Sequence, residues 1–151
     1  MRALIQRVDS CSVTVDGATV GSIGHGILIL LGIKKGDSIS DAEYLATRCT
    51  MLRIFEDPDG KMNLSVQDTA GSIMVVSQFT LYADTRKGNR PSYSEAANPE
   101  EAEQLYEKFV GSLRSSVGSG RVSTGIFRAM MKVQLVNDGP VTVLVESKPL
   151  I

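Results

Sequence analysis

Residues 4–8 read as a first strand, and over 11–15 apolar and polar residues alternate with the two-residue period of a half-buried one. Asp16-Gly17 then predicts a turn. Residues 26–33 (GILILLGI) are nearly all apolar and bounded by glycine, which predicts a strand covered on both faces. A helix is predicted from Ser40, because Ser40-Asp41-Ala42-Glu43 has the capping-box spacing in which hydroxyl and carboxylate satisfy each other's orphan amides. Leu45, Cys49 and Leu52 continue it at helical spacing. Residues 53–56 read as extended chain before the turn Asp57-Pro58-Asp59-Gly60, and residues 62–66 and 73–82 as two further strands. Asn98-Pro99-Glu100-Glu101 opens a second helix, with an Asn cap, Pro at the first helical position and acids in the first turn. Its stripe of Ala102, Leu105, Tyr106, Phe109, Val110 and Leu113 is a core face, and Gly118 and Gly120 end it. Strands are expected at 122–127, 130–136 and 141–146. Two helices among many strands, without regular βαβ alternation, predict an α+β domain. No repeat or linker interrupts the 151 residues, so residues 1–151 are expected to form one domain.

Charge narrows the function classes. Lys plus Arg number 16 and Asp plus Glu 17, a net charge of −1, which gives no broad basic footprint for nucleic acid. Any such contact must be small and local. Cys11 falls in an expected strand and Cys49 on the apolar side of an expected helix, so both read as buried free thiols. The opening MRALIQR fits no signal peptide, and the apolar run from Ile27 to Ile33, broken only by Gly32, is too short to span a bilayer. These features predict a cytoplasmic protein without a membrane partner.

The chemistry-bearing residues are sparse. The single histidine, His25, stands between Gly24 and Gly26, where a solvent-facing turn residue is the commoner reading than a catalytic one. One histidine offers no spaced zinc set, and no GxSxG elbow accompanies any serine. The glycine-rich stretch 21–26 lacks the Lys-Ser/Thr ending of a P-loop and reads as a hairpin. No cofactor or metal is expected. Two segments stand out. At Ser77-Gln78-Phe79-Thr80 an apolar strand runs directly into polar groups, which a strand leaving the core would also do. Asn137-Asp138-Gly139-Pro140-Val141-Thr142 predicts a hairpin turn, complicated by a proline that removes a ladder donor and whose preceding bond can adopt the cis form.

Ser-Gln-Phe-Thr at 77–80 and Asn-X-Gly-Pro-X-Thr at 137–142 together resemble the two signature motifs of the D-aminoacyl-tRNA deacylases. The resemblance extends to Ala3-Leu4-Ile5-Gln6-Arg7-Val8, Gly60-Lys61-Met62-Asn63-Leu64 and Arg90-Pro91-Ser92, in order, through nearly the whole chain. It implies a largely antiparallel, barrel-like sheet with two main helices, and a homodimer acting on the 3′ end of D-aminoacyl-tRNA and also on glycyl-tRNA. It implies further that the Gly139-Pro140 bond is cis and enters the partner's active site. There the two carbonyls would hold the substrate's α-ammonium and exclude an L side chain. Ser77, Gln78, Phe79 and Thr80 would line the pocket, with main-chain amides stabilising the oxyanion. Phe127 and Met131 would border the terminal adenosine, Asn137 would belong to the same substrate site, and the adenosine 2′-hydroxyl would assist the water. Arg128 departs from the resemblance, since a small residue is usual there.

A site of this kind is compatible with the residues present. An aminoacyl ester is already activated, so positioning and oxyanion stabilisation can suffice without histidine or metal. Gripping only the 3′ end neutralises few phosphates, in keeping with the near-neutral charge. Arg7, Arg86, Lys87 and Arg90 are candidate tRNA contacts. Two alternatives remain at this level: the same reaction through a Thr80 acyl-enzyme, for which no base is evident, and a non-enzymatic dimeric module binding RNA ends or DNA.

Overall fold

The computed structural model describes residues 1–148. Its centre is one long strand, β1 (Arg2–Val15), against which three others pair antiparallel: β2 (Ala18–Ile23), β3 (Gly26–Gly32) and β8 (Lys132–Glu146). Beyond β3 the sheet continues in parallel through β6 (Ser72–Ser77) to β7 (Val122–Thr124). A separate two-stranded ribbon joins β4 (Phe55–Glu56) and β5 (Met62–Leu64). With helices α1 (Ile39–Met51) and α2 (Pro99–Val117), the architecture is the α+β, barrel-like sheet with two main helices that the sequence predicts.

The residues 4–8 and 11–15 belong to a single strand, not two. Its ladder with β8 shifts between Gln6 and Val8 and again between Val8 and Ser10. Ordinary alternation puts Ala3 and Ile5 in the cluster beneath the helices and Val8 on the other face; past the irregularity after Val8 the parity changes, so that Cys11 and Val13 pack with Val8. One strand thereby serves both cores, which is what a bulge accomplishes. Strand β3 is covered on both faces as expected. Ile27, Ile29 and Leu31 meet α1 and α2 residues such as Leu45, Cys49, Phe109 and Leu113, while Leu28 meets Met74 and Val76 behind.

Several boundaries differ from the sequence reading. Helix α1 is capped by Ser38, not Ser40. The Ser38 amide donates to the Asp41 carboxylate at 2.8 Å and the Asp41 amide to the Ser38 hydroxyl at 3.4 Å. Two overlapping serine–acid spacings compete here, and Asp41 gains the Lys148 ammonium at 3.2 Å as well. The expected strand 73–82 ends at Ser77, and Phe79–Tyr82 coils into a 3-10 turn. The expected hairpin at 137–142 does not form, because both halves of β8 pair with β1. Gln6 faces Thr142 and Val8 faces Asn137, so residues 138–141 bulge out opposite Arg7 alone. Helix α2 starts at Pro99 behind the Asn98 cap as predicted, the Glu101 amide donating to the Asn98 side chain at 2.9 Å. Among the described residues, no helix is long and apolar enough to cross a membrane.

Candidate active site

The 3-10 turn that follows β6 borders a cleft of about 320 Å³. The Gln78 amide donates to the Leu31 carbonyl at 2.7 Å, carrying the β6 ladder one residue past the strand before the chain coils. Gly32 lets the turn lie against β3: a Cβ at that position would stand 2.9 Å from the Leu81 Cβ and 3.3 Å from the Gln78 carbonyl oxygen. Ser77 and Phe79 form one wall of the cleft, Leu31 and Ile33 its floor, Pro99 and Ala102 of α2 a second wall, and Tyr93, Phe127 and Arg128 its rim. Phe79 is 59% exposed and meets the Tyr93 ring edge-on at 5.1 Å. Phe127 leans on Tyr106 at 5.5 Å, and the Tyr106 hydroxyl donates to the Val75 carbonyl at 3.3 Å. Burial pushes that hydroxyl up to about 12, so it stays protonated.

The cleft is poor in acid–base groups. The Thr80 hydroxyl is a hydrogen-bond partner of the Gln78 side-chain amide, which cannot take a proton from it. His25 is exposed and precedes Gly26, which pairs with Ser72, five register steps from Ser77. At strand spacing that is about 16 Å away along the sheet. Its ring sits edge-on to Phe55 at 5.2 Å. Both cysteines are buried, and burial raises their thiols, Cys11 to about 11 and Cys49 to about 12, so neither is a nucleophile at neutral pH.

The bulge at 138–141 is a second built feature. Gly139-Pro140 is cis and exposed at its crest. Asn137 and Thr142 clamp its base. The Val141 amide donates to the Asn137 side-chain oxygen Oδ1 at 3.1 Å, and the Asn137 side-chain amide group to the Thr142 hydroxyl at 3.2 Å. Arg7 supports it from below, donating to the Asp138 carbonyl at 3.1 Å and to the Ile54 carbonyl at 2.7 Å, with the Asp138 carboxylate 3.3 Å away. A Cβ on Gly139 would meet the Arg7 guanidinium at 3.1 Å and the Val141 side chain at 2.8 Å, and the φ there is +130°. Only glycine fits this crest.

The predicted residues therefore divide. Ser77, Phe79 and Phe127 converge on the cleft, with Gln78 and Thr80 in the turn beside it. Met131 does not line it. Its sulfur packs against Gly125, among the residues of the opposite apolar cluster. Asn137, Gly139 and Pro140 lie elsewhere in the same chain. Ser77 is level with Val145, three strand spacings away, and Pro140 is five residues from Val145, which puts the two roughly 20 Å apart. Arg7, expected among the tRNA-facing cations, is instead 6% exposed and committed to the bulge. Arg86, Lys87 and Arg90 are exposed on the loop closed by Asp84 and Ser92, immediately before Tyr93. Arg86 folds back on Asp84 at 2.7 Å, and its hydrogen bonds hold that carboxyl down at about 2. Sequence reasoning missed Gly32, Tyr93 and the α2 walls. The one available signal was a glycine interrupting an otherwise continuous apolar strand.

Comparison with known proteins identifies the family. The family model for D-Tyr-tRNA(Tyr) deacylase matches residues 4–146. The D-aminoacyl-tRNA deacylase of Fervidobacterium nodosum is 57% identical over 98% of both chains, and that of Koribacter versatilis 55% identical over 98% of both. A solved structure described as c-Myc DNA Unwinding Element Binding Protein superposes with a TM-score of 0.94 at 41% identity, covering 99% of this chain and 100% of that one. The chain belongs to the D-aminoacyl-tRNA deacylase family and is a hydrolase of the aminoacyl-tRNA ester bond.

Proposed function

We propose that this hydrolysis is chiral proofreading: a two-fold dimer releases D-amino acids, and glycine, from the 3′ end of tRNA and spares L-amino acids. The observation that carries the reading is the division of the two motifs. The cleft at Ser77–Thr80 and the bulge at Gly139-Pro140 stand apart within one chain, and the bulge is braced outward by Arg7 and Asn137 as a projecting element. Seated in a partner's cleft, its carbonyls would hold the substrate ammonium and fill the space that an L side chain needs. A filter of that kind works by exclusion and passes any D side chain, as well as glycine.

Several features favour a second copy as the partner. The helices cover one face of the sheet. On the other, Leu144, Leu4 and Leu30 form an apolar row in register across three strands, Leu144 51% exposed and Leu4 and Leu30 half-buried, running into the buried Val76. The outer edge of the 15-residue β8 is also unpaired among the described residues, and such an edge invites pairing with another chain.

For the chemistry, we infer that main-chain donors and the substrate's own 2′-hydroxyl do the work. A 3-10 turn leaves its first amides without intrahelical partners. Those of Phe79 and Thr80 open the turn at the cleft, whereas the Leu81 amide is taken by the Gln78 carbonyl at 3.2 Å. Two such donors would stabilise the oxyanion of an activated ester without a protein base. The terminal adenosine would rest between Phe79, Tyr93 and Phe127, in the cytoplasm where tRNA is charged. The test is deacylation of D-Tyr-, L-Tyr- and Gly-tRNA. D-Tyr and Gly are expected to be released and L-Tyr retained, and sparing of glycine as complete as that of L-Tyr would sink the exclusion model.

A further inference from the structure

Arg128 is the one charged side chain among the described residues that line the cleft. It is third in the turn 126–129, closed by the Ala129 amide donating to the Ile126 carbonyl at 3.2 Å, and its φ is +68°. A positive φ at that position favours glycine, because a Cβ crowds the neighbouring carbonyl. An arginine held there is strained, and residues held in such conformations cluster at ligand sites. Nor is its charge spent inside the fold. Arg128 is exposed, and among the described residues no carboxylate pairs with it. Its surroundings are apolar: Phe127 beside it in the cleft, Ile126 46% exposed, and Met130 91% exposed just beyond. A lone cation at the rim of an apolar cleft suits a ligand with a flat apolar body and an anion next to it.

We propose that Arg128 forms a phosphate subsite, gripping the phosphodiester on the 5′ side of the nucleoside held in the cleft. The proposal rests on the reading of the cleft as the site of the terminal adenosine. The guanidinium presents two parallel N–H donors that match two non-bridging phosphate oxygens. With a net charge of −1 the protein exerts little general pull on a polyanion, so a single local contact carries a large share of the binding.

The test uses two non-hydrolysable mimics, 3′-D-tyrosylamino-3′-deoxyadenosine and the same molecule with a 5′-phosphate, titrated into wild type, Arg128→Gly and Arg128→Lys. The 5′-phosphate is expected to tighten wild-type binding about tenfold. Arg128→Gly is expected to abolish that gain, so that it binds the phosphorylated and unphosphorylated mimics alike. Arg128→Lys keeps part of the gain. Glycine suits the turn, so Arg128→Gly is expected to melt no lower than wild type, which separates lost binding from misfolding. On D-Tyr-tRNA its plot of log kcat/KM against log salt is expected to be shallower by about 0.7, one single-strand phosphate contact. An equal phosphate gain in wild type and Arg128→Gly overturns the proposal. So does an equal loss of both mimics, which would make Arg128 a shaper of the cleft. Failure of both mimics to bind wild type would instead overturn the reading of the cleft itself.

Discussion

Arg7 shows how much a single buried guanidinium can organise. It lies opposite a four-residue bulge and holds both the Asp138 carbonyl and the Ile54 carbonyl. Arg7→Ala would leave these acceptors without their donor, at a cost of about 1–3 kcal/mol measurable by urea unfolding. The crest would lose its orientation, and deacylation of D-Tyr-tRNA is expected to fall further than stability alone explains. Arg7→Lys keeps the charge but not the planar fork, and is expected to rescue little activity. For the catalytic group, Thr80→Ala is expected to keep most of the rate, whereas tRNA ending in 2′-deoxyadenosine is expected to be nearly inert. A collapse in Thr80→Ala with the deoxy substrate still cleaved would favour an acyl-enzyme. Asp41 makes a pH prediction. Burial alone raises its carboxyl, but hydrogen bonds from Ser38, Lys148 and Ser147 outweigh this and hold it at about 2, below the ordinary 3.8. A depressed carboxyl stabilises the fold above its ordinary pKa, and that contribution is lost as pH falls through the folded value. On the order of 1–2 kcal/mol should therefore disappear between pH 4 and 2 and be absent in Asp41→Asn, as read by acid titration of the melting temperature.

At the scale of elements, the cleft depends on where β6 stops. The 3-10 turn after Ser77 can approach β3 only because position 32 has no side chain. Gly32→Ala is expected to push the turn outward at Leu81, costing about 1–3 kcal/mol. Its kcat/KM on D-Tyr-tRNA is expected to drop while the far-UV spectrum stays native. Much of this level could be read from sequence, because period and capping are local signals: the both-faces burial of β3, the stripe of α2 and its Asn98 cap all follow from neighbouring residues. What could not be read were features set by partners distant in sequence. The strand-ending turn depends on Gly32, the face change in β1 depends on its ladder with β8, and the bulge at 138–141 depends on Arg7, more than 130 residues earlier. A hairpin was the local optimum for Asn-Asp-Gly, and β1 overrode it by pairing with both flanks. The candidate site was legible only as two motifs resembling a family. Their separation within one chain, and the brace that turns one of them outward, are properties of the folded sheet.

For the whole molecule, on the proposed cross-subunit reading, assembly is the condition for a complete site. A chain that carries its cleft and its bulge roughly 20 Å apart can use both together only if a second copy brings its bulge to the first copy's cleft. Two-fold symmetry then repairs both sites at once, since each chain gives the same element that it receives. The apolar row Leu144–Leu4–Leu30 is the surface best suited to hold the pair, because it is in register and lies on the face away from the helices. Leu144→Asp places a charge in that row at a position already 51% exposed in the single chain, so the chain's own core is untouched. Sedimentation at assay concentration is expected to show a dimer for wild type and a monomer for Leu144→Asp, with the far-UV spectrum unchanged. The monomer is expected to lose deacylation of D-Tyr-tRNA, because it retains the oxyanion donors but has no carbonyls to orient the ammonium. Mixing it with an excess of a cleft-defective but dimer-competent chain should restore little activity, since the aspartate burdens any pair that includes it. Full activity in a sedimentation-verified monomer would overturn the cross-subunit site, for then one chain alone would position, discriminate and hydrolyse.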